Sequence, residues 1–475
     1  MSKGIGGTHR ARPVAAIAIA LSIVAAGCAS AIAEPTDELS LRASPVEAQE
    51  SPSTTVPSAD PVLRPDAIPE WIPFSDVAAA AVTPEPTCVA PEAETEAPAA
   101  LVAALEAAAA APQFESLDLS VSIWVDGWGE VFEVNPDLRL EPASNQKILV
   151  AYAAHTLFDA EHRFATSIEH RAGGTGGDLI LRAGGDPSLS LAHLESMLSE
   201  AAPAIAGANR LVIDVSDYPQ DPRASEWLDW QIPRFVGPLS GLMIDDNRWS
   251  TSDELVTDPA SANGELVAQV ARRLGISIDE VVAVDASTLD AASSTGDVVA
   301  VHESPTVDQL VNTLLLSSDN QHADLMVLSL GRETTGAGSL VDGIEAMDLA
   351  LAELCGPLSG VSDDGSGLSR GNERSAGEFQ MLLREMRSTE AGQRVAEQLP
   401  VGGVSGTLTS RFGGADAGRV QAKTGTIIGG RALSGYATTD SGREAVFSII
   451  VNGEPGAAHS SLSAIDDLVL SLIHI

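Results

Sequence analysis

The sequence predicts an α+β chain whose strands lie at the two ends of its globular part, with a further domain inserted between them. Three observations carry that reading. Alternating apolar and polar runs occur early, over 120–125 and 130–134, and again late, over 419–422, 432–438 and 445–452. Apolar helical patterns fall between and after them, over 143–157, 306–316, 321–330, 340–354 and 462–475. Residues 172–298 fit neither group, because short β-like runs (178–181 and 210–215) share them with one clear helix at 264–274.

The elements follow in order from local chemistry. Lys3, Arg10 and Arg12 precede an apolar run over 14–26 and then Gly27-Cys28-Ala29, the layout of an export signal over 1–28. The run is shorter than the roughly 20 apolar residues that a spanning helix needs. Ala26-Gly27-Cys28 is similar to a bacterial lipobox, which would make Cys28 the lipidated first residue of an anchored, exported protein. Cleavage near 29–33 or an uncleaved anchor are the alternatives. Residues 29–96 are dominated by Pro, Ala, Glu, Ser and Thr and read as a semi-extended tether, with Trp71, Ile72 and Phe74 able to dock locally. Cys88 lies in this stretch, and Cys355 is the other cysteine of the exported chain, so the two form a disulfide or remain free thiols.

Order is expected to begin with an Ala/Leu-rich helix over 98–111. Asp126-Gly127-Trp128-Gly129 turns the first strand into the second as a hairpin. Pro142 introduces the helix that carries Ser144 at its start and Lys147 one turn later on the same face. The domains expected are thus 97–171 and 299–475, two parts of one body, and the insert 172–298.

A chain of 475 residues with 44% hydrophobic and 20% charged residues suits a globular enzyme. Its net charge of −39 excludes nucleic-acid binding and electrostatic docking on anionic lipid. An anionic substrate would have to be met by a few deliberately placed cations. The histidines are scattered, with no C-x-x-C or H-E-x-x-H, so no metal site is expected and no cofactor is called for.

The chain has three lysines, Lys3, Lys147 and Lys423, and the last two lie in motifs: Ser144-Asn145-Gln146-Lys147 and Lys423-Thr424-Gly425-Thr426, with Ser318-Asp319-Asn320 between them. Arginine serves for positive charge nearly everywhere else. It cannot lose its proton to act as a base, whereas a buried lysine can. A serine hydroxyl is a weak nucleophile until a base takes its proton, and Lys147 stands where that base is needed. Burial and a second positive charge, which Lys423 would supply, depress the Lys147 pKa. Ser318 is placed to relay a proton, and Asn320 to orient a substrate and hydrogen-bond Lys147. The backbone N–H groups of Ser144 and Thr426 are the natural oxyanion donors. Lys423 and the Thr424 and Thr426 hydroxyls would bind a carboxylate, with Gly425 letting the strand lie flat beside the substrate.

S-x-x-K, S-D-N and K-T-G stand in the chain order of penicillin-binding proteins and class A β-lactamases. Together with Gly184-Gly185-Asp186-Pro187-Ser188-Leu189, Asp364-Gly365-Ser366-Gly367-Leu368-Ser369-Arg370 and Gly406-Thr407-Leu408, they make residues 98–470 resemble the penicillin-binding protein 4 type of D-alanyl-D-alanine carboxypeptidase, peptidase family S13. Asp324 stands where that family usually has Glu, and Asn145 where it has Thr. The resemblance implies a β-lactamase/transpeptidase-like fold, an α/β/α sandwich whose mostly antiparallel sheet is covered by helices. The distance from Lys147 to Ser318 exceeds the usual helical subdomain, which an inserted domain explains. The resemblance also implies cleavage of the terminal D-Ala-D-Ala bond of peptidoglycan stem peptides, with cross-link endopeptidase activity in many relatives. It implies acylation of Ser144 by penicillins and no cofactor. Asp214 would hold the ammonium of the stem's third residue, or simply cap its strand end. A β-lactamase or esterase on the same scaffold, and a catalytically idle wall-binding protein, are the competing readings.

Overall fold

The computed structural model describes residues 88–474 except 174–175, 206, 219–222, 233, 248–257 and 285–295. The expected export signal, Cys28 and the tether up to residue 87 lie outside the described residues. In chain order the first elements are α1 (Ala99–Ala109), β1 (Asp118–Val125), β2 (Gly129–Val134) and α2 (Gln146–Leu157). There follow β3 (Ala165–Arg171), β4 (Gly177–Arg182), α3 (Leu191–Ala201), β5 (Ala208–Asp214), α4 (Pro259–Arg273), β6 (Glu280–Val284) and β7 (Asp297–Glu303). Five helices come next: α5 (Val307–Ser317), α6 (Asn320–Thr335), α7 (Leu340–Cys355), α8 (Ala376–Met386) and α9 (Glu390–Gln398). The chain closes with β8 (Val420–Ile427), β9 (Gly430–Thr438), β10 (Glu444–Asn452), α10 (Pro455–Ser460) and α11 (Leu462–Ile473).

The first and last strands combine into one antiparallel sheet of order β2-β1-β10-β9-β8. Side chains alternate across a strand, so a central strand buried on both faces feeds two cores. In β10, Val446 and Ile450 join Phe379, Leu383 and the α2 residues Ile148 and Leu149 on one face. Ala445, Phe447, Ile449 and Val451 join Leu101 and Leu105 of α1 and Leu468 and Leu472 of α11 on the other. The result is helix layers on both sides of one sheet, the α/β/α arrangement. On the first face α2 is central, packed against α5, α6, α7 and α9. That burial on all sides holds its N-terminal turn in place.

The insert has its own sheet of order β6-β5-β4-β3-β7, in which β4, β5 and β6 are parallel. Parallel neighbours need crossovers, and α3 and α4 supply them. Leu179, Leu181, Leu211 and Ile213 meet Leu194, Leu198, Val267 and Ala271 in a separate core. The sheet starts at Ala165 and ends at Glu303, wider than the 172–298 read from the sequence. The sequence boundary missed β3 because Glu169, His170 and Arg171 interrupt its alternation, and it cut β7, an edge strand with Val298 and Val301 exposed. An irregular stretch between β5 and α4 forms a further cluster. Tyr218, Trp227, Ile232, Val236 and Met243 pack there against Leu325 and Leu328 of α6.

A second correction concerns residues 88–96, which the sequence assigned to the tether. Cys88 is disulfide-bonded to Cys355, and the N–H groups of Glu94 and Thr95 donate to the Gly127 carbonyl at 3.0 and 3.2 Å. Composition could not show this, because the partners are supplied from far along the chain. The two cysteines are 267 residues apart, and closing a loop of that length is expected to contribute on the order of 2–5 kcal/mol. Replacing both cysteines by Ser should therefore lower the guanidinium midpoint of the oxidised protein. An unchanged midpoint would show the bridge to be energetically idle.

Candidate active site

Ser144 sits in a single 3-10 turn, Ala143–Asn145, that runs into α2. Ala143 holds a positive φ of 49°, unusual for a residue with a Cβ and a common mark of functional turns. Two glycines permit the packing around this turn. A Cβ on Gly367 would lie 1.9 Å from the Ala143 carbonyl oxygen, and Gly367 itself has φ +80°. A Cβ on Gly425 would lie 2.9 Å from the Pro142 oxygen. Gly425 is thus required for the strand to pass over the nucleophile turn, rather than only to lie flat beside a substrate.

Lys147 is fully buried, and its ammonium has three partners: Ser144 Oγ at 3.0 Å, Asn320 Oδ1 at 2.7 Å and the Ser366 carbonyl. An ammonium has three donors, so all are used. The Asn320 and Ser366 oxygens can only accept. In the neutral amine, therefore, those two keep its N–H bonds and the lone pair is left facing the Ser144 hydroxyl. Burial pushes the Lys147 pKa down to about 8, although Asp324, Asp364 and Asp319 pull it upward. Of the two causes expected from the sequence, burial and a second cation, burial is the one that acts on Lys147 here. Burial, with the charge of Asp364, drives the buried Asp324 carboxyl well above its usual range. Asp324 Oδ1 accepts from the N–H groups of Gly365 and Ser366 at 2.9 and 2.8 Å, which fixes the loop whose carbonyl receives Lys147.

Lys423 is also fully buried and donates to Ser318 Oγ at 2.8 Å and the Thr424 carbonyl at 2.9 Å. Burial first, and then the charge of Lys147, lower its pKa strongly. Ser318 ends α5 in the left-handed region (φ 59°, ψ 38°), a backbone cost that leaves its hydroxyl against Lys423. Asn320 Nδ2 donates to the Phe235 carbonyl at 3.0 Å, so a residue of the insert sets the orientation of its amide. The five expected groups thus stand in two hydrogen-bonded sets, Ser144–Lys147–Asn320 and Lys423–Ser318, and the charge of Lys147 is felt at Lys423.

β8 is an edge strand of the first sheet. Val420 O accepts from Gly402 N and Ala422 N donates to Pro400 O, so even-numbered residues turn their backbone polar groups away from β9. Continuing that alternation, the Thr426 N–H faces the open edge, as an oxyanion donor must. Thr424, Thr426 and Ser144 line one cavity of about 650 Å³. Lys423 does not. It pairs in register with Ser434, whereas Thr424 and Thr426 pair with Leu433 and Arg431 on the opposite face of the sheet.

Several wall residues were not singled out from the sequence. Arg431 and His459 lie beside Thr426, and Leu228, Trp230 and Phe235 from the insert form an apolar side. Glu141, tied to Arg370 at 3.2 Å, is the carboxylate of the wall among the described residues. The register of β9 against the K-T-G strand could have pointed to Arg431; nothing local marks the insert residues. Asp214 lies away from the cavity, paired with Arg182 and accepting from Ser216 N at 3.0 Å, which is strand-end capping. Among the described residues no group of three or more His, Cys, Asp or Glu side chains is placed to hold a metal ion.

A serine facing a desolvated lysine, with a strand-edge N–H beside it, defines the active-serine acyl-transfer class of penicillin-binding proteins and β-lactamases. Within that class the chain belongs to the D-Ala-D-Ala carboxypeptidase 3 (S13) family, whose model matches residues 101–255 and 250–471. It is 29% identical over 413 residues to the D-alanyl-D-alanine carboxypeptidase of an Actinomadura species, covering 69% of this chain and 76% of that one. It is 26% identical over 392 residues to carboxypeptidase DacB of Mycolicibacterium smegmatis, covering 77% and 82%. The fold is similar to the crystal structure of penicillin binding protein 4 from Haemophilus influenzae, with TM-score 0.68, 20% identity, and 78% and 98% of the two chains covered.

The Lys147 environment sets a pH dependence. Below about 8 the amine is protonated and cannot take the Ser144 proton, so acylation of Ser144 should rise about tenfold per pH unit and level off above that value. Stopped-flow acylation rates across this range check it. A flat profile would remove Lys147 from the role of base.

Proposed function

We propose that this protein is an exported serine-type D-Ala-D-Ala carboxypeptidase that trims peptidoglycan stem peptides and is acylated by penicillins. The observation that carries the reading is the Lys147 amine. Its other two partners are obligate acceptors, which leaves its lone pair for the Ser144 hydroxyl. Ser144 Oγ attacks the carbonyl of the penultimate residue while its proton passes to Lys147. The developing oxyanion is met by the N–H groups of Ser144 and Thr426. Collapse breaks the C–N bond, and the leaving D-alanine amine takes the proton that Lys147 accepted, relayed through the Ser318 hydroxyl that Lys423 holds, so Lys147 is neutral again. Water then hydrolyses the ester on Ser144. Cross-linked stem peptides present the same bond, so endopeptidase turnover belongs to the same reading. A penicillin presents its strained amide to the same serine. Long-lived acylation is expected, because the wall carboxylate Glu141 is engaged by Arg370 rather than poised over a water.

Export is supported by the N-terminal charged and apolar segments and by the Cys88–Cys355 disulfide, a bond that persists in oxidising compartments. Cys28 is the proposed lipid attachment point, leaving the enzyme held at the outer face of the cytoplasmic membrane by the tether.

Ser144→Ala is expected to reduce D-alanine release from a pentapeptide on the order of 10⁴-fold or more while the protein remains folded. Intact mass after brief exposure to penicillin should show an adduct mapping to Ser144 in the native chain and none in the variant. Retention of full activity by the variant would sink the mechanism. Cys28→Ala should move the protein from the membrane fraction to the soluble fraction of its host; unchanged fractionation would rule out a lipid anchor at that cysteine.

A further inference from the structure

The insert carries a group of titratable side chains that the reaction does not use. His193 of α3 and His302 of β7 stack ring on ring, with centroids 4.2 Å apart and planes 22° from parallel. His302 Nε2 lies 3.3 Å from Asp186 Oδ2, and both atoms are buried without an aligned hydrogen bond among the described residues. The other Asp186 oxygen accepts from Ser188 N at 2.8 Å and from Ser188 Oγ at 2.7 Å. Three elements, α3, β7 and the 184–187 loop after β4, thus meet at two imidazoles and one carboxylate. Two further charged groups among the described residues adjoin this contact. They are Glu303 of β7 and Asp245, which accepts from Leu191 N at the start of α3. From β3, the register partner of His302 is the uncharged Thr166.

This geometry belongs to neutral rings. Ser190 N–H donates to His193 Nδ1 at 3.3 Å, while Ser190 Oγ accepts from His193 N at 3.3 Å, a reciprocal cap on α3. Nδ1 must therefore be bare, and a proton added there removes the bond. A charge on both rings would set like charges face to face across the stack. Burial, and then His193, hold the His302 pKa below its ordinary 6.5, against the pull of Asp186 and Glu303. An opened form with its rings in water binds protons more readily. Stability that is full above about pH 6.5 is therefore lost as the pH falls below it.

The contact is linked to the active site through its loop. Gly185 N, next to Asp186, donates to the Gly241 carbonyl at 3.1 Å, and the Gly184 carbonyl accepts from Tyr218 Oη at 3.3 Å. A Cβ on Gly185 or on Gly241 would lie 2.0 or 2.1 Å from Tyr218, so the three backbones are closely fitted. The same irregular stretch gives the Phe235 carbonyl to Asn320 and the Gly237 N–H to Gln321. We propose that His193, His302 and Asp186 form an acid-sensitive clasp. Uncharged, the stacked rings close α3 and the 184–187 loop onto β7; on taking up protons they part, and the insert loosens its hold on Asn320. The clasp goes beyond the carboxypeptidase reading, and its first test does not depend on turnover.

His193→Gln and His302→Gln keep the neutral-state bonds without a titrating group. A Gln at the third helical position completes the same reciprocal cap, and a Gln amide donates to Asp186. Hydrogen-exchange protection factors are measured on the full chain from about pH 7.5 to 5.5. In the native chain, protection over α3 and β7 should fall up to about tenfold per pH unit below 6.5, the linkage of one proton. In the double variant it should match the native value at about pH 7.5 and stay level. Penicillin acylation supplies the functional readout. Below about pH 6.5 the native rate should fall more steeply than the tenfold per unit set by Lys147, and the double variant should return to that slope. Equal loss of protection in both chains, or loss in neither, overturns the clasp. Lost protection with no steeper acylation limb overturns its link to Asn320. Should the double variant fail to fold, NMR titration of the native histidines decides, and titration of both rings above 6.5 with α3 still protected overturns the proposal. If no acylation occurs at any pH, the carboxypeptidase reading fails while the protection result still tests the clasp.

Discussion

Two ammonium groups sealed from water are the constraint on which the rest of this structure depends. Taking a lysine out of water is costly unless every donor finds an acceptor and nearby groups adjust their charge. For Lys147 the acceptors come from three places, the adjoining nucleophile turn and, from far along the chain, the start of α6 and the loop at Ser366. Each segment must therefore arrive in register before the group can be buried, which makes the site a product of the whole fold. The same desolvation that makes Lys147 expensive lowers its pKa toward the range in which it can act as a base.

The insert takes part in this arrangement. Its irregular stretch before α4 supplies the Phe235 carbonyl to Asn320, and its Trp227 Nε1 donates to Asp364 Oδ2 at 2.7 Å. Gln231 Nε2 reaches the Leu368 carbonyl at 3.2 Å, and Gly237 N donates to Gln321 Oε1 at 2.5 Å. One segment thus braces both the S-D-N turn and the Asp364–Arg370 loop. Asp364 also accepts from Gly367 N, Ser369 N and Asn372 Nδ2 at 2.7–2.8 Å, so the loop is a saturated network around one buried carboxylate. Such networks are rigid when complete and costly when broken. Mechanical support for the nucleophile is therefore shared between the main body and the insert, while the parallel sheet of the insert forms its own core.

Charge is distributed with the same economy. A strongly acidic surface keeps the protein soluble and would repel an anionic ligand at long range. The cavity wall carries Arg431 at the strand rim, while the two lysines are buried. Arg431 and the Lys147 amine thus sit in different environments. One is half-exposed and permanently charged; the other is dry and titratable.

What the sequence determined by itself was the chemistry and most of the elements. Two isolated lysines in S-x-x-K and K-T-G, with S-D-N between them, singled out Ser144, Lys147, Ser318, Asn320 and Lys423 as candidates, because a reacting group must be a particular residue type. The helices α2, α5 and α7 and the strands β8, β9 and β10 were also legible, since their apolar periodicity is local. The tertiary structure alone decided the rest. It showed that desolvation depresses Lys147 against the pull of three aspartates, and that Lys423 lies on the other face of β8 from the two threonine hydroxyls. It also placed Arg431 beside Thr426, Cys88 on Cys355, and β3 in the sheet of the insert. The physical reason is the same in each case. Residue identity and periodicity are written along the chain, whereas burial and pairing depend on segments that sequence separates and folding brings together.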